Sequence, residues 1–175
     1  MSNFWGSVQF FKDYDYKRDN YGWTNIKDVY FWEDNLIGLK KNGEIVYKGY
    51  GIDKDNLLKL QNFPKVKSLK FIKNMIIGIQ NDDSLFVKCN YKGIMSFEED
   101  NFIKSCKEIS NWKNIKEIIG PFKIYEFAAL KKDGTVIVSN NTKYYQWTEA
   151  WKDVIVITTY DNSIVGLNQD GQILY

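Results

Sequence analysis

The sequence predicts an all-β protein, a small or partial β-propeller of four blade-like repeats with a short helix inserted near residues 97–107. Three observations carry that class. One pattern, clearest from Trp151 to Tyr175 (WKDVIVITTYDNSIVGLNQDGQILY), occurs four times in order along the chain. Each copy holds two β-rich runs around a turn signal of the Asp-Gly kind. The copies begin at Trp23, Phe63, Trp112 and Trp151, at intervals of 40, 49 and 39 residues, a period at which several short strands form one unit of a radial array.

In every copy the aromatic anchor is followed at +3 and +6 by aliphatic residues: Ile26 and Val29, Val66 and Leu69, Ile115 and Ile118, Val154 and Ile157. A second apolar run carries Gly38-Leu39, Gly78-Ile79, Ala129-Leu130 or Gly166-Leu167, and in three copies the anchor lies 15 residues before the glycine. Next come Asn42-Gly43, Asp82-Asp83, Asp133-Gly134 and Asp170-Gly171, each leading into a third apolar run. These pairs predict two-residue type I′ hairpins, in which both central residues take positive φ. The unit is therefore a strand, a loop and a hairpin. Its four copies span about 23–51, 63–90, 112–140 and 151–175 within a single propeller-like domain, residues 1–175.

The segments between repeats read differently. Residues 4–12 (FWGSVQFFK) predict an N-terminal strand that either completes the last repeat or covers the first. Residues 13–21 follow as a tyrosine-rich polar loop, in which Tyr14, Tyr16, Lys17, Arg18 and Tyr21 form a secondary aromatic-cationic patch. Residues 52–61 predict a short helical turn. Asp53, Asp55 and Asn56 begin like a calcium loop, but the loop glycine and terminal glutamate are missing, with Pro64 at the twelfth place. In the longest insertion, Ser96 and Glu99 form a capping-box pattern ahead of Phe102, Ile103, Cys106 and Ile109 at helical spacing. Glu98, Glu99 and Asp100 suit the first turn of that helix, where the dipole favours acids.

Composition narrows the function classes. Aromatics make up 17% of residues, a share suited to wide β-surfaces. A net charge of +2, with Arg18 the single arginine, gives no strong field toward nucleic acid or anionic membrane and weakens any base-reading role. There is no signal-like N-terminus and no apolar stretch of membrane-spanning length, so the expectation is a cytoplasmic protein with no membrane partner. Cys89 and Cys106 then read as free buried thiols, and the sequon Asn140-Asn141-Thr142 carries little meaning. The chain has no histidine, which removes Ser-His-Asp and Cys-His nucleophile systems and the usual zinc sets, and it has no phosphate-binding glycine loop. The expectation is a non-enzymatic protein with no catalytic residues, no metal and no cofactor.

The pattern Trp-x-x-Ile-x-x-Ile, loop, Gly-Leu-x-x-Asp-Gly-x-Ile resembles the repeat of the regulator-of-chromosome-condensation (RCC1-like) propeller family over residues 23–175. That family usually has glycine seven positions before the Leu and histidine four before it. Here those positions hold Trp32, Ile72, Lys123 and Tyr160, and Asn35, Met75, Glu126 and Ser163. The resemblance implies seven blades in full rings, and binding roles that include GTPase exchange, chromatin contact and enzyme inhibition.

Loops of successive blades gather on one rim, and large aromatics among charges suit a protein-contact surface. The candidate partner-binding residues are Phe31, Trp32, Glu33, Asp34, Phe71, Lys73, Phe122, Lys123, Tyr125, Tyr160 and Asp161, with Trp32 and Tyr160 alternatively filling the axis. The sequence therefore predicts a protein-binding module acting on an enzyme or effector. Richness in Lys, Asn, Ile and Tyr suggests a bacterial or phage source and an inhibitor, such as an anti-CRISPR-like protein. The alternatives are binding of single-stranded nucleic acid or a nucleotide through aromatic and lysine side chains, and a subunit of a homo-oligomeric propeller.

Overall fold

A computed structural model describes residues 22–32, 35–49, 60, 62–72, 75–89, 96–123, 126–139 and 147–175. The N-terminal strand, the tyrosine-rich loop and most of the turn expected at 52–61 lie outside the described residues, although Leu60 is helical. The described residues form four three-stranded antiparallel sheets and one helix, a mostly β fold. The sheets are β1 (Ile26–Trp32), β2 (Asn35–Lys40) and β3 (Ile45–Gly49); β4 (Ser68–Ile72), β5 (Met75–Ile79) and β6 (Leu85–Cys89); β7 (Ile115–Lys123), β8 (Glu126–Lys131) and β9 (Val136–Val138); and β10 (Val154–Tyr160), β11 (Ser163–Asn168) and β12 (Ile173–Leu174). Each sheet is one copy of the sequence repeat, with the second strand in the middle.

The aromatic anchors precede the first strands, and their spacing to the glycine has a steric reason. A Cβ on Gly38 would sit 3.0 Å from the Trp23 ring, one on Gly78 2.6 Å from Phe63, and one on Gly166 3.0 Å from Trp151. Only glycine leaves the middle strand open to the ring. In the third copy the anchor is two residues further from Ala129. The two extra residues extend β7 through an irregularity between Ile119 and Lys123, where Gly120 has a φ of 128°.

The second hairpins depart from the type I′ expectation. Gly43, Asp83, Gly134 and Gly171 have positive φ, but the residues before them do not. In each hairpin the positive-φ residue donates its N–H to the carbonyl three residues back, as Gly43 does to Lys40 at 2.9 Å, and Lys40 in turn donates to Glu44 O at 2.8 Å. This is a type I turn closed by a left-handed bulge residue, so the loop has three residues rather than two. Asn42, Asp82 and Asp133 stabilise it by accepting the backbone N–H two residues on.

That bulge residue also joins one sheet to the next. Its carbonyl accepts the N–H of the +3 aliphatic residue of the following copy: Val66 to Gly43 O at 3.1 Å, Ile115 to Asp83 O at 2.9 Å, and Val154 to Gly134 O at 3.0 Å. Asp83 stands where its counterparts are glycine. Its buried carboxylate is ion-paired with Lys67 and with Lys132 of the third hairpin.

Alternation along the middle strands sends one set of side chains toward the preceding sheet and the other toward the following one. Ile37 and Leu39 meet Val66, Leu69 and Ile76 of the second sheet. Ile77 and Ile79 meet Ile115, Ile118 and Phe127 of the third. Ala128 and Leu130 meet Val154, Ile157 and Ile164 of the fourth. The core is thus three consecutive sheet-to-sheet junctions. No hydrophobic cluster among the described residues joins the first sheet to the fourth.

The inserted helix α1 runs Ser96–Ile109, one residue earlier and two later than its periodicity predicts. Phe102, Cys106 and Ile109 bury themselves in the junction between the second and third sheets, while Glu99 and Asp100 are exposed. The expectation of free thiols is overturned. Cys106 of α1 and Cys89 at the end of β6 form a disulfide with Cα atoms 6.5 Å apart. Residue spacing gave no sign of it, because the helix brings the two together only by docking on its own sheet. No helix among the described residues is long and apolar enough to cross a membrane.

Hydrogen bonds from the hydroxyls and backbone N–H groups of Ser84 and Thr135 hold the exposed Asp82 and Asp133 carboxyls below the ordinary aspartate value. Their stabilisation is complete above the unfolded-state pKa and is lost as pH falls through the lower folded-state value. Asn42 performs the same role without a charge. A double variant carrying Asp82→Asn and Asp133→Asn is therefore expected to lose less stability than the parent below about pH 4. Parallel urea titrations across acid pH check this; superimposable profiles for the two proteins would refute it.

Candidate interaction surface

The ends of the four first strands carry the aromatics singled out from the sequence, and the fold distributes them. β1 alternates, so Tyr30 and Trp32 face the second sheet while Val29 and Phe31 face the opposite way. Trp32 is 8% exposed and lies with its ring 5.6 Å from that of Phe71. Phe71 also meets Tyr30 at 5.5 Å and is half-buried. Trp32 and Phe71 thus pack in the first junction. Phe31, one residue away, is 58% exposed.

Tyr160 occupies the Trp32 position of the fourth copy, yet it is 78% exposed. Asp161 follows it, exposed, in the β10–β11 turn with φ 52°. Phe122 and Lys123 belong to β7, and Lys123 pairs with Glu126 in register. Glu33, Asp34, Lys73 and Tyr125, and the whole secondary patch of Tyr14, Tyr16, Lys17, Arg18 and Tyr21, lie outside the described residues. The structure brings Trp32 and Phe71 together, and sets Phe31 and Tyr160 on opposite ends of the series of sheets.

Comparison of equivalent positions defines those two ends. On the face that meets a following sheet, Leu85 and Val136 are buried, whereas their counterpart Ile173 is 66% exposed. Val165 and Leu167 are likewise half-buried where Ile37, Ile77, Leu39 and Leu130 are fully enclosed. On the face that meets a preceding sheet, Leu69, Ile118 and Ile157 are buried, whereas Val29 is exposed. Leu36 is half-buried where Ile76, Phe127 and Ile164 are enclosed. The surface is therefore two apolar faces of opposite sense, one on each terminal sheet.

The fourth sheet also borders a shallow depression of about 390 Å³, lined by Trp147, Trp151, Tyr160, Val165, Ile173 and Tyr175 among others. Its wall is mostly apolar, and no charged side chain contributes to it. Such a surface suits burial of an aromatic or aliphatic anchor from another macromolecule, because large aromatic and apolar groups dominate the energetics of fully desolvated contacts.

The residues missed from the sequence are Val29, Trp147, Val156, Ile173 and Tyr175, all exposed apolar groups. A signal existed for Val29 and Ile173. Once the repeat is aligned, the first and last copies of the series leave uncovered the positions that the internal copies bury. Trp147 lies outside the repeat pattern and carried no such mark. No protein-family model matches this chain, and no curated protein matches it in sequence.

Proposed function

We propose that this protein is a propeller-type repeat protein that works without catalysis, as a binding module for another protein chain. The observation that carries the reading is the exposed apolar surface of the fourth sheet, where Tyr160, Ile173 and Tyr175 border a depression lined by no charged side chain. Exposed apolar patches rimmed by polar residues mark interaction sites more often than they arise by chance. The near-neutral net charge and the lack of histidine favour protein contact over nucleic-acid binding or nucleophilic catalysis.

The experiment is capture by the immobilised protein, compared with its Tyr160→Ser variant. The expected result is stoichiometric retention of one protein, insensitive to salt, and at least about tenfold weaker for the variant at unchanged melting temperature, as befits an exposed anchor. Binding of a single-stranded oligonucleotide that falls steeply with salt would instead establish the nucleic-acid reading.

A further inference from the structure

We propose that the partner for the terminal faces is a second copy of this chain, docked head to tail, so that two copies close into a two-fold ring of eight sheets. The proposal rests on the reading of those faces as binding surfaces and adds the identity of what covers them. Within the chain the same junction is built three times from the same two faces. In it, the Ile37/Leu39-type residues of one sheet enclose the Val66/Leu69-type residues of the next. The fourth sheet presents the first kind of face through Val165, Leu167 and Ile173. The first sheet presents the second kind through Ile26, Val29 and Leu36. Each end is the complement of the other.

The backbone shows the same complementarity. In the three internal junctions the hairpin bulge carbonyl accepts the N–H of the following +3 residue. Backbone of the following copy lies within 3.2 Å of where a Cβ of Gly43 or Gly134 would sit. Gly171 has the same left-handed conformation, φ 79°, but nothing lies within 4 Å of its Cβ position. Ile26 of a second copy is the residue whose position in the repeat supplies the matching N–H. A head-to-tail contact repeated by a two-fold axis closes with two identical junctions, and eight sheets fall within the size range of radial β-arrays.

The test uses light scattering after size exclusion on the full chain and on two variants at exposed positions, Phe31→Asp on the leading face and Ile173→Asp on the trailing face. The expected results are twice the chain mass for the parent, the chain mass for each variant alone, and recovery of dimer in the equimolar mixture. Only a head-to-tail junction behaves this way, because the mixture retains one intact pair of faces. A dimer of Phe31→Asp alone would overturn the proposal in favour of a trailing-to-trailing contact. A parent protein that stays monomeric at every concentration would also overturn it. In that case, amide protection of residues 163–174 would assign the face to another part of the same chain. Tyr160-dependent capture of a different protein by such a monomer would leave the proposed function standing while removing the second copy, so the two failures are distinguishable. Should Ile173→Asp lower the melting temperature, Ile173→Ser replaces it in the same mixing scheme.

Discussion

Replacing Trp32 with alanine is expected to lower the free energy of unfolding by about 3–5 kcal/mol, the usual cost of deleting a large aromatic from a packed core. Its indole ring fills the first junction together with Phe71, Leu60 and Leu69. The neighbouring Phe31→Ala change is expected to cost the monomer far less, about 1 kcal/mol, because most of that ring is outside. Urea unfolding of the two variants side by side is the check. Equal, small losses would mean that Trp32 does not sit in the junction, and the assignment of faces along β1 would have to be reversed.

Reduction of the Cys89–Cys106 bond is expected to cost about 2–4 kcal/mol, since the bridge closes a segment with a sequence separation of 17. The loss falls on α1, whose apolar side completes the junction between the second and third sheets. Mass spectrometry of the alkylated protein shows first whether the thiols are joined. Denaturant curves with and without reductant then give the size of the effect. Two alkylatable cysteines in the native protein, or coincident curves, would contradict the bridge and return the thiols to the free state expected from composition.

These two cases mark where sequence reading succeeded and where it stopped. The four-fold repeat was legible because the anchor, the glycine under it and the turn each obey a local steric rule, and local rules leave fixed spacings. Every expected third run became the outer strand of a sheet, from Ile45–Gly49 to Ile173–Leu174. The disulfide was not legible, because it depends on where a docked helix ends, a tertiary fact. Turn type was misread for a related reason. An Asp-Gly pair is compatible with both two- and three-residue loops, and the register of the flanking strands selects between them.

The candidate surface was half visible. The sequence placed these aromatics in rim loops, whereas Phe31, Trp32, Phe71, Phe122 and Tyr160 belong to the first strands, and it treated the four copies as equivalent. Trp32 and Tyr160 share a place in the repeat and differ about tenfold in exposure, because among the described residues only Trp32 has a following sheet beside it. Position within the series decides exposure, and a single copy carries no information about its place in the series.

The hairpin carbonyl that receives the next copy's N–H has a consequence for how such a chain lengthens. Each junction has at its centre one donor, one acceptor and two apolar faces from adjacent copies, to which Leu60 adds at the first junction and α1 at the second. Duplication of a unit between two turns therefore inserts a sheet that already fits both neighbours. Loss of a unit leaves two faces that still match. The connecting segments are free to vary in length, as the 14-residue helix between the second and third sheets illustrates. An architecture of this kind changes its number of units by whole steps, without redesign of any interface.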